Sequence, residues 1–364
     1  MKRVACIFGT RPELIKMAPV IHAMQQRNLE VHAICTGQHR ELLLPLIDWF
    51  GLNVYRNLDV MAPSQTLNGL SSRLMHEFEL LFKEVRYDIV IGQGDTTSVL
   101  AAALAAFHER IPFGHVEAGL RTYDMNSPFP EEMNRVLVGR LASLHFAPTA
   151  AARQNLLNEG VNDTTIFNVG NTVIDALHYT SAKLDEQGDS STVNHKTILL
   201  TTHRRENHGQ PLKNICTAIR HIAEDFKDVN VIFPVHPNPN VRAVVHERLA
   251  DLNNVRLIEP APYNELVTYL KNSYLVLTDS GGLQEEAPAL GKPVLVLREE
   301  TERPELIELG GGCLVGSDPK KIYESVRELL LNAGAYHAMV LGYSPYGDGK
   351  TSYRIAELVA AQLN

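Results

Sequence analysis

The alternation of short apolar runs with helical periodicities constrains this chain more than any other feature. Runs at 4–8, 31–35, 88–91, 111–116, 144–147 and 166–169 each end in a polar cluster, and helical patterns such as 65–83, 98–107 and 150–159 fall between them. The same plan restarts after the polar segment 185–195, with runs at 197–202, 231–235, 274–278 and 293–297. Strands covered on both faces read as continuous apolar runs, and helical connections between them build parallel sheets. The predicted class is therefore α/β, with Rossmann-like parallel sheets. A chain of 364 residues exceeds the roughly 100 to 200 residues of one domain, so two are expected. The division is placed at 1–170 and 171–350, with the terminal segment 351–364, an amphipathic helix over 353–363, packing back on the first domain. No internal repeat of fixed period accompanies this shared plan.

Composition then narrows the function. A formal net charge of −8 and a pI near 6.0 argue against a nucleic-acid surface, which needs a basic footprint. An anionic ligand must be held by a few local cations. The longest apolar stretch, 99–107, is too short to span a bilayer, and Gly9-Thr10-Arg11-Pro12-Glu13 cuts off any signal-peptide reading of the first residues. The expectation is a cytoplasmic protein with no membrane partner. Cys6, Cys35, Cys216 and Cys313 form no Cys-x-x-Cys pair, so they read as small apolar fillers in a reducing compartment, with no disulfide and no zinc.

The residues that carry chemistry lie where the runs end, which is where open α/β sheets place their ligands. Glu117 follows the run 111–116, and Pro128 and Pro130 stiffen the approach to Glu131 and Glu132. Carboxylates from separate loops that meet in one place suit proton removal from carbon, because burial and mutual repulsion separate their pKa values. Glu131 and Glu132 read equally as first-turn acids of a helix. Asp95, in Gly92-Gln93-Gly94-Asp95-Thr96-Thr97, reads first as the N-cap of the helix 98–107, with glycines beside it that let a ligand approach. Thr10-Arg11-Pro12-Glu13 is a capping box, and Arg11 and Lys16 near that helix start favour an anion. In the second half, His203 adjoins Arg204 and Arg205, a pairing suited to pyrophosphate. His236 is aimed by Pro237-Asn238-Pro239, and Asp279-Ser280-Gly281-Gly282 opens into a helix carrying Glu285 and Glu286. Such a turn presents backbone N–H groups to phosphate, with a glutamate one turn on for ribose hydroxyls. Neither a Walker lysine nor a Gly-x-Gly-x-x-Gly spacing is present, so neither ATP hydrolysis nor nicotinamide binding is indicated.

Taken together, these loops resemble the non-hydrolysing UDP-N-acetylglucosamine 2-epimerases along nearly the whole chain. The motifs are Phe8-Gly9-Thr10-Arg11-Pro12-Glu13, Gly94-Asp95-Thr96-Thr97, His115-Val116-Glu117-Ala118-Gly119-Leu120-Arg121, 127–132, His203-Arg204-Arg205-Glu206, 279–288 and Thr301-Glu302-Arg303-Pro304-Glu305. The resemblance implies a GT-B architecture, two Rossmann-like domains facing across a cleft with UDP held mainly by the second, and a homodimer. It implies acid/base roles for Asp95, Glu117 and Glu131 and a catalytic-site role for His203. It further implies substrate contacts at Arg11, Lys16, Arg204, His236, Ser280, Gly281, Gly282 and Arg303, with Glu286 on the ribose. The reaction implied is removal of the carbon 2 proton as UDP leaves carbon 1, then return of both with carbon 2 inverted, using no cofactor and no metal. Certain bacterial members bind a second substrate molecule through residues matching Gln38, His39 and Arg40. A basic residue that those members carry further on is replaced here by Met61-Ala62-Pro63-Ser64-Gln65. Gln93 stands where several members have histidine, and Gly310-Gly311-Gly312 replaces a Gly-Thr segment. Three other readings share the same sheet plan: a GT-B glycosyltransferase, which needs one base at most, a non-catalytic nucleotide-sugar sensor, and an epimerase of a related UDP-2-acetamido sugar.

Overall fold

The computed structural model describes residues 1–37, 40–62, 64–188 and 196–363, with residues 40–42 and 205 described as backbone only. Two compact units divide the chain, Met1–Ala176 with Tyr346–Asn364, and Leu177–Pro345.

In the first unit seven strands form one parallel sheet: β1 (Lys2–Phe8), β2 (Leu29–Cys35), β3 (Val54–Asn57), β4 (Ile89–Gln93), β5 (Phe113–Val116), β6 (Leu144–Ala147) and β7 (Ile166–Asn168). Their order is β3-β2-β1-β4-β5-β6-β7. The run 4–8 is wholly buried between β2 and β4, which is why it alternates with nothing polar. Order reverses between β1 and β4, so the loops after these two strands flank the crevice at a topological switch point.

The second unit repeats the plan with β8 (Lys196–Thr201), β9 (Val229–Pro234), β10 (Val255–Ile258), β11 (Leu275–Thr278), β12 (Val294–Val296) and β13 (Gly312–Leu314), in the order β10-β9-β8-β11-β12-β13. Its switch point lies between β8 and β11, whose following residues are 202–204 and 279–280. Each unit has its own apolar core, built on Phe78, Phe82 and Phe113 in the first and on Ile215, Ile219 and Phe233 in the second.

The helix Thr351–Leu363 belongs to the first unit and buries Ile355, Ala356 and Val359. Its start is held by Asp175, which accepts from the N–H groups of Thr351 (3.3 Å) and Ser352 (2.7 Å) and from the Ser352 hydroxyl. An acid there answers the unsatisfied amides and the positive end of the helix dipole. Among the described residues no helix is long and apolar enough to cross a membrane. Cys6, Cys35 and Cys216 are buried, but Cys313 is exposed on the edge strand β13 and fills no core, a correction to its reading as a filler.

One glycine is fixed by two requirements at once. Gly119 has φ +90°, and a Cβ there would stand 2.2 Å from the Ala152 carbonyl oxygen. Gly119→Ala therefore meets both the left-handed penalty and a backbone clash, and thermal unfolding is expected to show a loss of about 3 kcal/mol, the sum of those two effects.

Candidate active site

Glu117 leaves β5 with φ +64°, in the left-handed region that a glutamate seldom adopts. Among the described residues, three side chains grip its carboxylate. Lys16 Nζ, on the helix Arg11–Gln25, lies 2.5 Å from Oε1; Gln93 Nε2, at the end of β4, donates to Oε2; and Asn171 Nδ2, in the loop after β7, donates to Oε1 at 3.2 Å. The side chain is only 7% exposed. Sequence reasoning selected Glu117 and Lys16 but missed Gln93 as a partner and Asn171 altogether.

Asp95 does not cap the next helix. Thr96 does, accepting from the Val99 N–H at 3.3 Å, and the helix is Thr97–His108. Asp95 is thereby released to face Arg135, whose Nε lies 2.9 Å from Oδ2, while Asn134 Nδ2 holds the Asp95 carbonyl at 2.7 Å. Burial pushes the Asp95 carboxyl above its ordinary range; Arg135 pulls it down, and the charges of Glu117 and Glu131 push it up again. Glu117 and Glu131 thus act electrostatically on Asp95. Gly94 takes φ +82° with open space where a Cβ would stand, whereas Gly92 is small because Phe113 packs 2.8 Å from its Cβ position. Only the first of these glycines leaves room beside Asp95.

Glu131 and Glu132 open the helix Glu131–Leu141 but differ in environment. Glu132 is fully buried, accepting from the N–H groups of Thr122 (3.0 Å) and Tyr123 (2.9 Å) and pairing with Arg135 at 3.0 Å. It fixes the loop; Glu131 remains partly exposed. Glu13 is a similar anchor, buried, with its carboxylate accepting from the N–H groups of Gly9 (2.6 Å) and Thr10 (2.8 Å) and from the Thr96 hydroxyl. Glu13 therefore ties together the two loops at the switch point. His115 Nε2 lies 2.7 Å from the Gly94 carbonyl oxygen, and burial drives its pKa down to about 3, so the ring is neutral and donates there. Arg11 lies exposed at the helix start.

In the second unit Asp279 is the organising group. It is 0% exposed and accepts from the N–H groups of His203 (3.1 Å) and Arg204 (3.0 Å) and from Asn207 Nδ2 (2.8 Å), with His203 Nδ1 at 3.0 Å. Burial alone would raise its pKa, but the His203 ring and these donors hold it below the usual carboxylate range. Ser280 caps the helix Gly281–Ala289. A Cβ on Gly281 would stand 3.7 Å from Arg303 Nη2 and 4.0 Å from Arg204 Nη2, so two guanidinium groups flank the free end of a helix, an arrangement suited to phosphate. Glu286 is buried, accepting from the Tyr263 hydroxyl at 2.9 Å, with Oε2 3.9 Å from the Gly282 Cβ position. His236 lies two residues after β9, its Nδ1 accepting the Asn238 N–H at 3.2 Å.

Sequence analysis placed Ser280, Gly281 and Gly282 in one turn and Arg204 and Arg303 on other loops, and the structure brings both arginines to that turn. Gln38 and His39 lie outside the described residues, and Arg40 opens the helix Arg40–Phe50. Among the described residues no three His, Cys, Asp or Glu side chains converge as metal ligands.

Two doubly wound parallel units, one bearing Asp95 under the influence of Glu117 and Glu131 and the other a helix end flanked by arginines, define an α/β enzyme of the GT-B class. Residues 22–360 match the family described as UDP-N-acetylglucosamine 2-epimerase. The Escherichia coli K12 protein named UDP-N-acetylglucosamine 2-epimerase is 46% identical over 98% of this chain and 97% of its own. The UDP-GlcNAc 2-epimerase of Neisseria meningitidis, solved bound to UDP-GlcNAc, superposes with a TM-score of 0.91 at 42% identity, covering 99% of this chain and all of its own. That of Methanocaldococcus jannaschii, in complex with UDP-GlcNAc and UDP, gives 0.82 at 36% identity over 99% of both chains. The chain belongs to the UDP-N-acetylglucosamine 2-epimerase family.

Proposed function

We propose that this chain interconverts UDP-N-acetylglucosamine and UDP-N-acetylmannosamine without hydrolysing them, by elimination and re-addition of UDP. A carboxylate of the first unit takes the carbon 2 proton. The carbon 2 electron pair forms the C1=C2 double bond of an acetamidoglucal while the C1–O bond breaks and its electrons leave with UDP. Re-addition reverses both changes, with a proton delivered to the opposite face of carbon 2. The observation that carries this reading is that Asp95 and Glu117 follow neighbouring strands, β4 and β5, with Glu117 and Glu131 close enough to act on the Asp95 charge, since acid and base work on one carbon needs carboxyl groups gathered at one place. The Arg204–Arg303–Gly281 cradle supports UDP as leaving group, and the Neisseria and Methanocaldococcus proteins are solved with UDP-GlcNAc. Glu286 would accept from ribose, with His203 and His236 as further contacts. A homodimer in the cytoplasm, feeding a surface-polysaccharide precursor, completes the proposal.

The test is incubation with UDP-N-acetylglucosamine in deuterated water. Deuterium is expected at carbon 2 of both epimers, with UDP-N-acetylmannosamine accumulating reversibly. Epimer formation without label would remove the proton-transfer mechanism, and stoichiometric release of free N-acetylmannosamine would make the enzyme hydrolytic.

A further inference from the structure

Glu117 adopts a backbone conformation that costs a glutamate free energy, so its carboxylate must be held by its surroundings. Two of its donors, Lys16 and Gln93, come from the switch-point elements of the first unit. The third, Asn171, is placed differently. It is 3% exposed, and each of its hydrogen-bonding groups is engaged. Its backbone N–H donates to the Tyr346 carbonyl at 2.6 Å, its Oδ1 accepts the Val173 N–H at 3.1 Å, and its Nδ2 donates to Glu117 Oε1 at 3.2 Å.

Those partners mark the two places where the chain passes between its units. Val173 lies in the helix Thr172–Glu186, which leaves the first unit after Ala176, and Tyr346 is the first residue to return. The backbone around them has little freedom: a Cβ on Gly170, at φ +97°, would stand 2.7 Å from Thr351 Oγ1, and one on Gly347, at φ +152°, would stand 3.5 Å from the Asn171 nitrogen.

The geometry points to Asn171 as a positioning residue that aims Glu117 from the segment where the chain crosses between its units; this rests on the acid/base role proposed for Glu117. Chemistry selects the amide. Aspartate or serine would cap the helix as well as asparagine does, but an ionised aspartate has no proton to donate and serine is an atom shorter, whereas the amide accepts from Val173 through Oδ1 and donates to the carboxylate through Nδ2. Among the described residues, the groups that act on Glu117 besides Asn171 include Lys16, Gln93, Asp95 and His115.

Asn171→Asp keeps the cap and replaces the donor with a second negative charge. UDP affinity is expected to match the wild type and the melting temperature to fall modestly, since two carboxylates then face each other out of water, while kcat falls about 10- to 100-fold, the scale of lost outer support for a reacting group, with KM little changed. Because both the lost donor and the added charge disfavour ionised Glu117, the acid limb of the kcat profile moves to higher pH. Asn171→Ser, which also caps but cannot reach Glu117, carries the test if the first variant misfolds, and is expected to lose kcat with a smaller shift of the same limb. Wild-type kcat, or a lower kcat with an unmoved limb, in a folded variant would overturn the inference. Deuterium exchange at carbon 2 separates the two levels: absence of exchange in the wild type defeats the elimination mechanism, whereas equal exchange in wild type and both variants defeats only the role of Asn171.

Discussion

Glu117→Gln is expected to lower carbon 2 hydrogen exchange and epimerisation by about 10³-fold, within the range for loss of a general acid or base, while leaving UDP affinity by calorimetry unchanged. The substitution preserves shape and a carbonyl oxygen that can still accept from Lys16, Gln93 or Asn171, so the left-handed turn after β5 keeps most of its support. It removes the site that can take a proton. It also removes one of the charges that raise the Asp95 pKa, so Asp95 shifts toward the ordinary range and holds its proton a smaller share of the time. Both changes act on proton transfer. The UDP contacts proposed lie in the second unit and are untouched. Measured UDP affinity that falls with exchange in a folded variant would move Glu117 from chemistry to substrate binding.

The legibility of the chain follows burial. The runs 4–8, 88–91 and 274–278 stand out because β1, β4 and β11 lie inside their sheets. Three of the four edge strands, β3, β10 and β13, did not stand out, since their burial is partial and no continuous apolar run was needed; the fourth, β7, was read from the run 166–169. In the site, Glu117 and Asp95 were legible from their places at strand ends, and the Ser280-Gly281-Gly282 turn from its helix. Residues whose meaning lies in a distant partner were not. Asn171 meets Glu117 across 54 residues and Glu13 meets Thr96 across 83, separations that no local pattern encodes. Arg135 was nearer to hand, three residues after Glu132 on one helix face, and that spacing could have found it. Asp95 was misread as a cap because Asp and Thr are both good caps; the helix used Thr96 and left the acid to Arg135.

Asp279 was passed over for a related reason, since beside Ser280 and two glycines it reads as part of a turn, yet it joins the ends of β8 and β11. Asp279→Ala is expected to destabilise the second unit by about 3 kcal/mol, because buried N–H groups that lose their acceptor keep most of their desolvation penalty. The readout is hydrogen exchange at the His203 and Arg204 amides, which in the variant should approach the rate of an exposed loop. The Arg204 guanidinium, whose Nε also donates to the Asp279 carbonyl at 3.2 Å, loses its aim at the helix end, so UDP affinity falls with the protection. The pH dependence has a fixed sign. The folded Asp279 pKa lies below its ordinary value, so its contribution is complete above about 3.9, the unfolded value, and is lost as pH falls through the folded value. The stability difference between wild type and variant should therefore be constant from neutral pH down to that point and close only in stronger acid. A gap that closed well above that point would mean that the buried carboxylate does not carry the stabilisation.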